Sequence, residues 1–271
     1  MDSFKHNLNN LSFFESLAPF YCTLKIIGLA PYNFNFKTGI IKSTFLNYII
    51  VFLNLAIHFI AILISGVDSF NSKSTTNKLA HDIWNYQLFF TSLTALFFVV
   101  HNYIKRQHVF NYIKLLNHVD KVFNNSEWKY QMNHLKNCFK IVFWLFIHIV
   151  MLVLFYFLIL FANSLISIYL VLINIISFFS VHICIMVVYE FMFSVCCINS
   201  QFDCLNKNAE FYLNSLKMEF ALSQNQVNTK LECIKKLAIL HDLLNDAIDC
   251  INNIYSIEVI MSYVSFIIVI I

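Results

Sequence analysis

The stretch from Ile141 to Tyr189 contains no Asp, Glu, Lys or Arg. A single helix of that length would measure roughly 70 Å, because each helical residue adds about 1.5 Å. The hydrocarbon core of a bilayer is only about 30 Å thick. The stretch therefore predicts two membrane spans, 141–162 and 165–189, joined by a tight external turn at 163–164.

Composition extends this prediction to the whole chain. Hydrophobic residues make up 59% of the sequence and charged residues only 12%, whereas soluble domains are about 25% charged. Glycine and proline are scarce, which favours long helices over the turns of a β-barrel. We predict an all-α polytopic membrane bundle with five spans in one membrane domain. The remaining segments are the N-terminus 1–42, span 43–67, external loop 68–82, span 83–104, connectors 105–140 and 190–249, and span 250–271.

The basic residues predict the orientation. Of the 18 Lys and Arg residues, all but Lys73 and Lys78 fall on the side of the N-terminus. Cytoplasmic segments carry the excess of basic residues in membrane proteins. The N-terminus and both long connectors are therefore predicted to be cytoplasmic in a multi-pass membrane protein.

Two further helices are predicted outside the spans. Apolar residues recur at helical spacing from Phe13 to Ile27, and Gly28 followed by Pro31 gives a stop signal. The first connector carries a single apolar stripe, which predicts a helix there rather than a loop. That stripe consists of Val109, Ile113, Leu116, Val119 and Phe123. The fourth span is also expected to continue as a helix past Glu190.

A few polar side chains lie within the predicted spans. His58, His148 and His182 either line a pocket or gate, or bond neighbouring helices. Glu258 lies eight residues into the fifth span. It either attracts ions at an inner vestibule or extends its side chain to the cytoplasmic interface, and the second interpretation is slightly favoured.

No pattern indicates catalysis. The ten histidines form no His-x-x-x-His or His-Glu-x-x-His box, and Gly-x-Ser-x-Gly and Gly-rich phosphate loops are absent from the sequence. The cysteines have no Cys-x-x-Cys spacing. We therefore predict no catalytic residue, metal or cofactor. The net charge of +3 is too small to indicate a nucleic-acid partner.

The second connector carries a heptad seam that runs into the fifth span. Its apolar residues alternate by three and four positions, as in a coiled coil. The seam consists of Ile234, Leu237, His241, Leu244, Ile248, Ile251 and Tyr255. Its partner is either the chain's own extension of the fourth span or another subunit of an oligomer.

Two stretches resemble insect gustatory receptors of the seven-helix chemoreceptor superfamily, which also includes the odorant receptors. One is Leu-Ala-Pro-Phe at 17–20 with Lys-Ile-Ile-Gly-Leu-Ala-Pro-Tyr at 25–32. The other runs from Leu237 to Ser256. The resemblance reaches five of the seven helices, and the Thr-Tyr and Gln-Phe signature of helix seven is not present. Since helix seven lines the pore in that family, we expect the chain as given to be C-terminally incomplete and to lack its own pore.

The resemblance implies a taste receptor subunit that forms a ligand-gated, non-selective cation channel. The implied partners are a small-molecule tastant, the lipid bilayer and other receptor subunits in a homo- or hetero-tetramer. Alternatives are an odorant receptor or, from another class, a small membrane transporter or lipid-handling enzyme. The implied ligand pocket lies in the external half of the bundle. Its candidates are Trp84, Gln87, Thr91, Phe155, Tyr156, Ser167, Tyr169 and Asn174.

Overall fold

Long helices account for most of the backbone. The computed structural model describes residues 13–30, 32–35, 40–71, 78–125, 140, 142–148, 150, 151, 153, 154, 157, 168–218 and 224–270. Its elements are α1 (Phe13–Ile26), β1 (Asn33–Asn35), β2 (Ile40–Lys42), α2 (Phe45–Asn71), α3 (Lys78–Asn125), α4 (Ile168–Met218) and α5 (Gln224–Ile270). Residues 142–148 and further described positions up to 157 are also helical. The predicted all-α class is confirmed.

The predicted end of the first helix at Gly28 is confirmed in detail. Gly28 has a φ of 81°, and its N–H donates to the carbonyl of Lys25 at 3.1 Å. The N–H of Leu29 donates to the carbonyl of Leu24 at 2.9 Å. These two bonds form a Schellman motif, with the buried side chains of Leu24 and Leu29 at the positions that pack together in such caps. Glycine occupies the left-handed position because it has no Cβ.

A short antiparallel ribbon follows this cap and was not predicted. In its register Asn33 pairs with Lys42 and Asn35 with Ile40. Tyr21 of α1 connects to the first strand, since its hydroxyl accepts a hydrogen bond from the N–H of Phe34 at 3.0 Å. The ribbon therefore joins α1 to the start of α2.

Three helices in the described part of the chain are long and apolar enough to cross a membrane. They are Phe45–Val67, Asn85–Phe123 and Ile175–Lys217, and they contain the predicted first, second and fourth spans in whole or in large part. Large apolar side chains such as Phe52 (71% exposed) face outward from α2, as lipid-facing side chains do. The third predicted span is only partly described, and the membrane boundaries of the third and fifth spans stay predictions.

The predicted helical extensions of the spans are confirmed. α3 continues through the connector stripe as far as Asn125, and residues 126–139 lie outside the described part. α4 passes Glu190 without interruption and ends at Met218, giving a helix of 51 residues. α5 carries the heptad seam and most of the fifth predicted span in one helix of 47 residues.

The chain divides into two compact units. One, the span unit, comprises Pro19–Arg106, Ile141–Phe191 and Tyr255–Ile271. The other, the connector unit, comprises Met1–Ala18, Gln107–Lys140 and Met192–Ile254. The predicted spans belong almost entirely to the span unit, and the two predicted connectors make up most of the connector unit.

The connector unit has its own core, built from α3, α4 and α5. The stripe of α3 is buried as predicted, except that Tyr112 is buried in place of Ile113. The hydroxyl of Tyr112 donates to the carbonyl of Ser194 at 3.2 Å. The side-chain amide of Gln201 donates to the carbonyl of Leu116, also at 3.2 Å. These bonds connect α3 to α4 through backbone groups.

Candidate functional site in the span unit

A hydrogen-bonded cluster connects three helices near the middle of the predicted spans. Ser180 of α4 lies at its centre. Its Oγ is 3.1 Å from Nδ1 of His58 on α2 and 3.2 Å from Oγ of Ser92 on α3. All three side chains are buried. Buried polar groups in a bilayer need such internal partners, because no lipid atom replaces water as donor or acceptor.

The tautomer of His58 depends on where Ser180 places its hydroxyl proton. When that hydroxyl donates to the carbonyl of Ile176, 3.0 Å away, Ser180 accepts from His58 and the ring proton lies on Nδ1 of His58. Nε2 of His58 is left as an acceptor. It is buried and has no hydrogen-bond partner among the described residues.

An aromatic side chain covers one face of the His58 ring. This ring is stacked on Phe179, with the centroids 5.8 Å apart and an interplanar angle of 7°. The site therefore offers one acceptor nitrogen, Nε2 of His58, beside the ring of Phe179. Few convergent polar groups in a mainly apolar setting are typical of small-molecule sites.

A second imidazole contact joins the third and fourth predicted spans. His148 and His182 lie with their rings stacked and 4.4 Å apart, and Nε2 of His148 is hydrogen-bonded to Nδ1 of His182. Tyr189 approaches His148 edge-on at 5.9 Å. Of the two interpretations left open for these histidines, bonding between neighbouring helices is present for all of His58, His148 and His182.

An acidic cluster lies at the end of the predicted spans that the sequence places on the cytoplasmic side. Oε1 of Glu258 is 2.8 Å from Nδ1 of His101 and 3.4 Å from the amide nitrogen of Asn102. Phe97 is stacked on His101 with the centroids 5.4 Å apart. Glu258 is fully buried, so the prediction that its side chain extends to the interface is wrong. The physical reason is that α3 supplies two polar partners inside the bundle.

A second buried acid belongs to the same region. Glu190 of α4 is 7% exposed and accepts a hydrogen bond from Tyr255 of α5. Glu258 lies close enough to act on Glu190 electrostatically. The sequence drew attention to Glu258 but not to this pairing, because Glu190 falls just outside the predicted fourth span.

Most of the predicted ligand pocket lies outside the described side chains. Gln87 is half-buried and Thr91 is buried, and the hydroxyl of Thr91 donates to the carbonyl of Gln87 at 2.7 Å. These two residues share one face of α3. The side chains outside the description are Trp84, Phe155, Tyr156, Ser167, Tyr169 and Asn174. Sequence reasoning also missed Ser92 and Ser180, whose only signal is a small hydroxyl inside a span.

The heptad seam is only partly buried within the chain. Leu237, Leu244, Ile251 and Tyr255 are buried, Ile234 is half-buried, and His241 and Ile248 are exposed. A second row of buried side chains consists of Leu240, Ala247 and Ile254. Each lies one position before a residue of the predicted seam, namely His241, Ile248 and Tyr255. His241 contacts Phe202 of α4 edge-on at 5.7 Å. The extension of the fourth span thus supplies one contact of the seam, and the seam's role between subunits stays a prediction.

The long apolar helices and their internal polar clusters define an all-α, multi-pass membrane protein. Residues 17–271 match the 7tm Chemosensory receptor family, and the chain therefore belongs to that family. The resemblance found in the sequence is confirmed at this level. No curated protein matches the chain.

Proposed function

We propose that the chain is a subunit of a gustatory receptor that opens a non-selective cation channel when a small-molecule tastant binds. The family match over residues 17–271 carries the proposal, because it supports a chemosensory function across nearly the whole sequence. The subunit is proposed to lie in the plasma membrane with its N-terminus in the cytoplasm, in keeping with the distribution of basic residues.

The proposed ligand site combines the predicted pocket with the His58 cluster. Gln87 and Thr91 stand on the same helix as Ser92, and Ser92 is hydrogen-bonded to Ser180. The acceptor at Nε2 of His58, which has no partner among the described residues, favours a ligand that presents an O–H or N–H donor. A buried acceptor without a partner is costly, so such a site rejects analogues that lack the donor group.

Gating is proposed to follow from differential affinity. A ligand shifts a closed–open equilibrium only by as much as it binds the open arrangement more tightly. Subunits are proposed to meet as a homo- or hetero-tetramer through the heptad seam. Exposed Ile248 (36% exposed) and His241 are the seam positions that remain available for such a contact.

The test is current recording from cells that express the complete transcript encoding these residues. We expect one or more compounds of a broad tastant panel to evoke a cation current with little preference between Na⁺ and K⁺. S180A removes the acceptor of both His58 and Ser92, so we expect a several-fold loss of apparent affinity, the equivalent of about 1 kcal/mol. S215A is the matched control, because Ser215 lies on the same helix and donates to the carbonyl of Tyr212.

Three results would contradict the proposal. A receptor that reaches the cell surface but gives no current with any tastant is not a taste channel. Currents evoked by volatile odorants alone would indicate an odorant receptor instead. Substrate-dependent uptake without current would favour a transporter.

A further inference from the structure

Two carboxyl groups in the span unit have an oxygen without a partner. Oε2 of Glu190 and Oε2 of Glu258 are both buried and make no hydrogen bond in the described part of the chain. Both side chains are more than nine-tenths buried. An ionised carboxylate in such surroundings needs counter-charges or several donors, and a protonated carboxyl needs far less.

The groups around the pair do not balance two negative charges. From α3, His101 and Asn102 contact Glu258, and Lys105 lies within electrostatic range of it. From α5, Tyr255 donates to Glu190, and neutral Tyr32 faces Glu190 from the segment before β1. His101 is the only basic side chain in direct contact with either acid among the described residues, and it contacts Glu258, as does the amide of Asn102. Glu190 has no basic side chain in contact with it in that part of the chain and accepts a hydrogen bond from Tyr255 instead.

We propose that Glu190 and Glu258 form a proton-binding site that holds one proton between them at neutral pH. Glu258 is the charged half of the site, because His101 and Asn102 stabilise its carboxylate. Glu190 is the neutral half and carries the proton, with the hydroxyl of Tyr255 donating to it. Because interacting acids titrate together, the pH at which this proton is lost is a property of the pair.

The position of the site sets where its proton comes from. Glu190 follows the fourth predicted span directly, and Lys105 follows the second, so the cluster lies at the predicted cytoplasmic end of the bundle. The proton is therefore exchanged with the cytosol. Its loss would place an uncompensated negative charge between α4 and α5, where the rings of Phe191 and Tyr255 lie 5.9 Å apart. We expect the contact between these helices to weaken as the cytosol becomes alkaline.

Infrared spectroscopy of the receptor in lipid nanodiscs tests the proposal. A protonated carboxyl group has a C=O stretching band that a carboxylate lacks, and exposed acids are ionised at neutral pH. We expect the wild type to show this band at neutral pH and to lose it in alkaline buffer. Labelling with carbon-13 glutamate should shift the band, which assigns it to a Glu side chain without any substitution.

Substitutions then locate the proton. E190Q should remove the band. E258Q should keep the band at a reduced intensity or lose it at a lower pH than the wild type does, because the carboxylate that repels ionised Glu190 is gone. E210Q and E232Q are matched controls, since Glu210 on α4 and Glu232 on α5 are exposed, and both should leave the band unchanged. A wild-type spectrum without the band, or a band that persists in E190Q, would overturn the proposal. The measurement uses no tastant, so its outcome is independent of the receptor's proposed function.

Discussion

Replacing Gly28 with alanine is expected to destabilise the receptor by about 2–5 kcal/mol. A left-handed backbone costs an L-residue about 1–2 kcal/mol. A Cβ at Gly28 would also lie 2.5 Å from Nδ2 of Asn54 and 3.1 Å from its Cγ. The Asn54 amide must then move, although it donates to the carbonyl of Ile50 at 2.9 Å, and loss of a buried hydrogen bond adds about 1–3 kcal/mol.

Thermal unfolding of the solubilised receptor measures this cost. In a chain of this size 1 kcal/mol corresponds to about 2–4 °C, so G28A should lower the melting temperature by about 4–20 °C. G66A is the matched control, because a Cβ at Gly66 meets nothing within 4 Å in the interior of α2. Alanine is the better helix former there, so G66A should leave the melting temperature unchanged or raise it by a few degrees.

A double-mutant cycle separates the two contributions to the cost. N54A removes the atoms that a Cβ at Gly28 would strike, so G28A should cost about 1–2 kcal/mol in that background, the backbone contribution alone. A G28A variant that melts with the wild type would refute the cap geometry. Equal costs of G28A in both backgrounds would refute the contact with Asn54.

Three further outcomes are expected. S180A should destabilise the receptor by about 1–3 kcal/mol through the loss of two buried bonds, and S215A by less; equal melting curves for the two would contradict the cluster. Burial raises the pKa of Tyr21 from 10.0 to about 12. The neutral Tyr21 side chain therefore contributes stability to the folded state below pH 10, and that stability is lost between pH 10 and about pH 12. Y21F should flatten that alkaline decline in melting temperature, and an unaltered profile would argue against it. Epitope tags at Met1 and after Asn225 should bind antibody only after permeabilisation, and labelling of either tag on intact cells would refute the predicted threading.

Features with a local cause were predictable from the sequence. The cap at Gly28 depends on residues no more than five positions apart, and the glycine itself marks the left-handed position. The stripe around Leu116 was visible because one helix face repeats every three to four residues. The ribbon was not visible, because strands as short as Asn33–Asn35 contain too few residues for an alternating pattern.

Features that depend on partner helices were not predictable. His241 and Leu240 both continue the three-and-four spacing from Leu237, and only the neighbouring helices decide which one is buried. In the structure it is Leu240. The hydrogen bond between Glu258 and His101 joins residues 157 positions apart. Nothing local to Glu258 indicates that partner, so extension to the interface was the natural expectation.

The tautomer of His58 decides whether Nε2 accepts or donates a hydrogen bond, and one added proton would reverse that role. In the ligand site proposed above, Nε2 of His58 accepts, which favours ligands that donate a hydrogen bond. Imidazole is the side chain that exchanges an acceptor for a donor at the same atom by gaining a proton. In the proposed site, a protonated His58 would therefore favour ligands with carbonyl or ether oxygens over ligands with hydroxyl donors.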